Sequence, residues 1–285
     1  MKTLLTGASG FIGKALLRQN LSGDIHVVSR NSFLFPAGIT AHFGDLGNQE
    51  FLEYLGAQAF DRVIHLAWEG LPNLSEEYNF RNLSTSKRFL EVLSSSGVKD
   101  FHIAGSCLEY GEITGSVNEK MTGKNLSNFA LNKISLLEFL SDLGVGYKWY
   151  RIFYAYGPHQ HKNSLLSSAF STAKKRVPFA LNNPSLLRDF IFVADVAKAI
   201  SLLVEKPDVN GIFNIGSGEG ILAIDLVNAL YVQMGLEIQD RVIEKGPSLT
   251  ADLRKIHETC GWLPEISIEE GVKSFLEWKN LGERD

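Results

Sequence analysis

Short apolar runs alternate with longer amphipathic stretches through the first half of the chain, and this alternation predicts repeated βαβ units on a parallel sheet. Strands are expected at Thr3–Thr6, His26–Ser29, Arg62–His65, Phe101–Ala104 and Lys148–Ile152. Between them, apolar residues recur at three- and four-residue spacing over Ile12–Leu21, Glu77–Ser94 and Ala130–Leu140, which places a helix at each. Parallel strands need crossovers of that length. After Pro158 the pattern turns polar and irregular, with Pro178 and Pro184 interrupting it, until Asp189–Val193 and Val196–Val204 restore a strand and a helix. The second half therefore reads as interleaved with the first.

Length and composition refine this picture. A chain of 285 residues exceeds the usual single core, so a large α/β domain with a doubly wound parallel sheet and a smaller α/β C-terminal lobe is expected. A net charge of -4 leaves no electrostatic footprint for nucleic acid, and the basic cluster Lys174-Lys175-Arg176 is too short to change that. The opening residues Met1-Lys2-Thr3-Leu4-Leu5-Thr6 lack the apolar core of a secretory signal, and no apolar run is long enough to span a bilayer. Cys107 and Cys260 stand alone, without disulfide or metal-ligand spacing. A soluble, cytoplasmic protein with no metal and no membrane partner is expected.

The strongest local signal is Thr6-Gly7-Ala8-Ser9-Gly10-Phe11-Ile12-Gly13, between the first strand and the first helix. Glycines at a tight turn, at the approach of backbone to diphosphate and at the packing of helix on strand are what a phosphate cradle requires. The spacing is GxxGxxG. Specificity for the adenosine ribose is read after the second strand, at Val27-Val28-Ser29-Arg30-Asn31. No carboxylate stands there, so Arg30 could offer its planar fork to a 2′-phosphate and Ser29 a hydroxyl. NADP(H) is the expected cofactor, with NAD(H) the alternative. Arg30 as a solvent-facing loop residue remains open. Asp45 and Leu46 follow another expected strand, as do Leu66 and Ala67, and these four would line the dinucleotide. Residues 1–157 and 189–206 are assigned to a Rossmann dinucleotide-binding domain, and 158–188 with 207–285 to a substrate lobe.

Taken together with His65-Leu66-Ala67 and Ser106-x-x-x-Tyr110-Gly111, these segments resemble the extended short-chain dehydrogenase/reductases. Tyr156-Gly157-Pro158, Arg188-Asp189-Phe190, Phe213-Asn214-Ile215-Gly216 and Gly261-Trp262-x-Pro264 are similar to marks of the sugar-nucleotide branch of that family. The resemblance covers nearly the whole chain. It implies a catalytic Ser, Tyr and Lys, in which the tyrosine exchanges a proton with the sugar as hydride moves to or from nicotinamide. Ser106 falls at the serine position and Lys133 at the lysine position, where it would also touch the cofactor. Four residues before Lys133, however, the chain has Phe129, which carries no proton.

Three readings of Phe129 stay open. It could be an introduced Tyr→Phe exchange that traps a complex. It could be natural, with Tyr110, Cys107, Glu109 or an ordered water supplying the proton. Or the chain could bind cofactor and sugar nucleotide without turnover. For the substrate, the resemblance implies that Arg188 reaches the diphosphate of a nucleotide sugar, against a salt bridge to Asp189 or Asp195. Trp68 could stack on the hexose or sit in the core. An NADP(H) preference suits a 4-keto-6-deoxy sugar-nucleotide reductase, with a 4-epimerase as the alternative. The resemblance also implies a homodimer through the helices at Glu77–Ser94 and Ala130–Leu140.

Overall fold

The computed structural model describes residues 1–71, 75–177, 179–181, 183–238 and 244–282, so Pro178 lies outside the described residues. The chain runs through β1 (Lys2–Thr6), α1 (Phe11–Leu16), β2 (Asp24–Ser29), β3 (Thr40–Phe43), α2 (Gln49–Gly56), β4 (Arg62–His65), α3 (Glu76–Ser95) and β5 (Asp100–Ala104). A 3-10 turn at Cys107–Tyr110 precedes β6 (Gly115–Val117), α4 (Asn128–Asp142), β7 (Gly146–Ile152) and β8 (Tyr154–Tyr156). The remainder holds α5 (Leu165–Lys174), β9 (Leu187–Arg188), β10 (Phe190–Phe192), α6 (Val193–Val204), β11 (Gly211–Ile215), β12 (Ile221–Leu222), α7 (Ala223–Gln233), β13 (Ser248–Ala251), α8 (Arg254–Cys260) and α9 (Ile268–Asn280).

Seven strands form one parallel sheet in the order β11-β7-β5-β4-β1-β2-β3. The chain starts at β1, steps outward to β3, and returns to β4 on the other side of β1. Strand order reverses there, and in open α/β sheets the crevice outside such strand ends is the ligand site. Thr6 at the end of β1 is level with Val28 of β2 and His65 of β4, so the three strand ends open onto one place.

Adjacent apolar residues serve opposite faces, as strand geometry dictates. Leu4, Val63 and Trp149 pack with Leu52 of α2, Phe89 and Leu93 of α3 and Leu136 of α4. Their neighbours Leu5, Ile64 and Tyr150 pack with Leu16 of α1 and Val196, Ile200 and Leu203 of α6. Helices thus cover both faces, the condition under which an all-parallel sheet is stable. Serine caps start α3 and α4: Ser75 accepts from the Tyr78 N–H and Ser127 from the Ala130 N–H. A second core joins α5, α7 and α9 through Leu166, Phe170, Leu226, Leu230, Val272 and Phe275.

The division into domains differs from the expectation at several segments. Residues 211–215, assigned to the smaller lobe, form the edge strand of the large sheet against β7, because Phe213 and Ile215 are buried in the core shared with α6. Ile256 of α8 and Trp262 join the same core. Conversely, β6 pairs with β13 in a four-stranded sheet of order β12-β9-β13-β6, and β8 pairs with β10. The stretch after Pro158 contains α5, and α1 ends at Leu16, short of the expected Leu21. Among the described residues no helix is long and apolar enough to cross a membrane.

Two buried histidines on the sheet make the fold acid-sensitive. Burial pulls His65 down to about 3, helped by the charge of Lys133, and burial pulls His102 down to about 4 against the Asp100 carboxylate. Both stay neutral in the folded chain while the unfolded chain takes protons near pH 6.5. Their contribution is therefore complete above that pH and is lost as pH falls through 6.5 toward 4, at up to about 1.4 kcal/mol per group per pH unit. Urea midpoints measured at pH 7.5 and 5 should fall accordingly, and equal midpoints would contradict the neutral assignment.

Candidate active site

The β1–α1 connection forms the cradle that its glycines predict. Gly7 has φ +74, and a Cβ there would stand 2.8 Å from the Ala67 nitrogen. A Cβ on Gly13 would stand 2.1 Å from the Gly7 oxygen, so α1 can approach β1 only with glycine at that position. The Gly10 N–H donates to the Gly7 carbonyl at 3.0 Å and closes the turn. From this cradle a cleft of about 1120 Å³ extends past Ser9, Phe11 and Ile12, Ser29 and Arg30, Asp45 and Leu46, and Leu66 to Trp68, to the loop bearing His159 and Gln160. Every residue expected to touch cofactor borders it except Lys133. Among the described residues, Ser106, Phe129, Lys133 and Arg188 are also not on its wall.

Several of the cleft residues make local bonds of their own. Ser29 donates its hydroxyl to the Asn31 carbonyl at 2.8 Å, and the Asp45 carboxylate accepts from the Gly47 N–H at 2.7 Å. Arg30 pairs with Glu69, whose other oxygen is held by Arg81. Arg30 is thus a solvent-facing loop residue after β2 whose guanidinium is paired. His65, at the end of β4, shares hydrogen bonds with Thr6 (2.7 Å) and Ser86 (2.9 Å), tying the β1 and β4 ends to α3.

Trp68 joins the cleft to Phe129 and Lys133. The Lys133 ammonium stands 3.6 Å from the centre of the Trp68 ring and donates to the Ala104 carbonyl at 2.8 Å. Phe129 meets the same indole edge-on at 5.8 Å, and both Phe129 and Lys133 are buried. Burial pushes the Lys133 ammonium well below the ordinary lysine range, opposed by the Glu109 carboxylate. Trp68 thus contacts both the cleft and the lysine, and its buried Nε1–H has no hydrogen-bond partner among the described residues.

Ser106 caps the 3-10 turn, its Oγ accepting from the Leu108 N–H at 3.2 Å, while its own N–H donates to Glu109 at 2.7 Å. The three side chains weighed as substitutes for a tyrosine are committed elsewhere. Glu109 is 2% exposed and accepts from the Trp149 indole at 3.0 Å and the Arg151 guanidinium at 2.9 Å. Burial raises its pKa, and the Arg151 charge opposes the rise. The Tyr110 hydroxyl donates to Asn214 at 2.7 Å, and Arg151 lies 4.4 Å from the Tyr110 ring centre. Cys107 is buried, which drives its thiol far above the thiolate range. None of the three is placed to give up a proton to the cleft. Glu109 instead holds the Ser106 N–H in a capping box, which the local Ser-x-x-Glu spacing signals, while its pairing with Arg151, 42 residues away, has no local signal.

Arg188, on β9, lies 5.5 Å from the ring centre of Tyr154. Neither acid weighed as its partner forms an ion pair with it. Asp189 accepts from the N–H groups of Ser217, Gly218 and Ala251, and Asp195 accepts from the Ile266 N–H.

A doubly wound parallel sheet with a glycine cradle at the point where strand order reverses defines a Rossmann nucleotide-binding protein. The residues matched by the profile of the "NAD dependent epimerase/dehydratase family" run from 3 to 216, and the chain belongs to that family of extended short-chain dehydrogenase/reductase enzymes. A Bacillus subtilis (strain 168) protein described as an uncharacterized UDP-glucose epimerase is 23% identical, with 97% of each chain covered. The dTDP-6-deoxy-L-talose 4-dehydrogenase (NAD(+)) of Aggregatibacter actinomycetemcomitans is 24% identical over 77% of this chain and 85% of its own. The solved structure of MoeE5 in complex with UDP-glucuronic acid and NAD superimposes with a TM-score of 0.86 at 24% identity, covering 99% of both chains.

Proposed function

We propose that the chain is a sugar-nucleotide 4-epimerase that holds NAD(H) in the glycine cradle and a nucleotide-diphosphate sugar farther along the same cleft. The observation that carries this reading is the cradle itself: Gly7 and Gly13 leave no room for a Cβ, and the cleft of about 1120 Å³ that opens from them exceeds the ordinary small-molecule pocket. The names of the relatives support the epimerase mode over net reduction, and NAD over NADP. When bound, the dinucleotide supplies a hydride acceptor. The chain's own part is to orient the sugar and exclude water, with Trp68 on the cleft wall offering its indole N–H, while Ser106 and Arg188, which stand off that wall, would serve a sugar oxygen and the diphosphate only for a ligand that reaches past it.

With Phe129 read at the tyrosine position that the family resemblance implies, the chain has no phenol there to exchange the proton. Incubation with UDP-hexoses and UDP-hexuronates, followed by chromatography and nicotinamide absorbance, tests the reading. A new epimer at constant absorbance supports it. Net NADH consumption with a 4-keto sugar nucleotide replaces it with the 4-keto-6-deoxy reductase, for which the talose dehydrogenase relative speaks. Tight binding of cofactor and sugar nucleotide without turnover, favoured by Phe129, replaces it with a silent binding protein.

The assembly proposed is a homodimer. α3 packs along α4, and Phe80 and Leu131 on these two helices are 72% and 49% exposed, an apolar surface that a second copy would cover. A sedimentation mass of two chains that falls to one with Phe80→Glu is expected. A monomeric wild-type mass would dismiss the dimer. The two unbonded cysteines suit a reducing, cytoplasmic setting.

A further inference from the structure

Two arginines and one glutamate meet on the rim of the cleft beside the end of β2. Arg30 binds one Glu69 oxygen and Arg81 of α3 binds the other, with the two arginine side chains 60% and 53% exposed and Glu69 30% exposed. The glutamate is the anchored member. Its N–H donates to Asn82 Oδ1 at 2.8 Å and its carbonyl accepts from Asn82 Nδ2 at 2.9 Å, and Asn82 is buried. Arg81 is steadied by the Tyr78 ring 4.9 Å away. The backbone of Glu69 is thus fixed in the β4–α3 connection, and its carboxylate is held between the two arginines.

In this fold the adenosine ribose lies at the end of the second strand. A 2′-phosphate there would need the Arg30 fork, would have to displace a carboxylate already in place, and would bring its own charge against that carboxylate. A 2′-hydroxyl meets no such repulsion and can donate to a Glu69 oxygen. We propose that Glu69 is the specificity-determining residue for the cofactor: it withholds Arg30 and Arg81 from a 2′-phosphate and so selects NAD(H), and its loss uncovers an arginine pair ready for NADP(H). This corrects the preference read from Arg30 alone, and it rests on the dinucleotide reading of the cleft.

The test is titration of NAD⁺ and NADP⁺ against the full chain and against Glu69→Gln, with Glu69→Ala as a second variant and thermal melts to show that each is folded. Wild type should bind NAD⁺ more tightly than NADP⁺. Either variant should shift the ratio toward NADP⁺ by roughly ten- to a hundredfold, the worth of one charge-assisted hydrogen bond regained. Adding Arg30→Met to the variant should remove most of that gain. A folded variant whose ratio matches wild type overturns the proposal, as does a wild type that takes NADP⁺ equally well. A wild type that binds neither dinucleotide overturns the reading of the cleft itself, an outcome distinct from both.

Discussion

Phe129→Tyr should raise turnover of a nucleotide sugar by roughly 10²–10⁴-fold while leaving ligand affinities near wild type, because a positioned general acid contributes a factor of that order. The substitution adds one oxygen to a ring already buried beside Lys133, whose ammonium lies 5.9 Å from the ring centre. That charge would favour the phenolate and bring the new hydroxyl toward a working pKa. Single-turnover and steady-state rates of the two proteins on the same substrate decide the matter. A rate that does not move would mean that the proton travels by another route or that the chain does not turn over. A melt shifted by more than a few degrees would mark a packing effect and call for comparison of the binding constants first.

Glu109→Ala should cost about 3–5 kcal/mol of stability, since it leaves the buried Arg151 guanidinium without its counter-charge. The Trp149 indole and the Ser106 N–H lose their acceptor in the same stroke. For a domain stabilised by about 5–15 kcal/mol this is a large fraction, and the variant should unfold at far lower urea. Glu109→Gln keeps an acceptor and should cost less. Adding Arg151→Met should recover part of the loss, the sign of an uncompensated charge as its source. A loss below about 1 kcal/mol for Glu109→Ala would show that water reaches Arg151 and that the buried pair is not what holds the turn.

The central strands were legible because both faces of a covered parallel sheet are apolar, so Leu4-Leu5 and Val63-Ile64 read as unbroken runs. β3 was legible only as a strand ahead of Asp45-Leu46, without bounds, since the edge strand Thr40-Ala41-His42-Phe43 is half exposed and reads as mixed. α5 escaped notice although Leu166, Ala169, Phe170 and Ala173 recur at helical spacing, because the prolines around it suggested irregular chain. The glycine cradle was readable for a physical reason: its requirements are local, set by a turn and a close approach within eight residues. The Arg30–Glu69 and Glu109–Arg151 pairs join residues 39 and 42 positions apart, and nothing in either segment announces its partner. The same limit explains β11, whose place is fixed by β7 rather than by its own sequence neighbours.

The exchange of strands between the two halves sets how the cleft can admit its ligands. Val117 of β6 is laddered to Ala251 of β13, and Tyr154 to Tyr156 are laddered to Phe190 to Phe192, so the polypeptide passes back and forth between the lobes instead of crossing once. A lobe connected in this way cannot swing open about a single linker without stretching several crossings together. Ligand entry would then depend on small local displacements, and the Trp68 ring, which borders the cleft on one side and covers an ammonium on the other, is the side chain placed to make one.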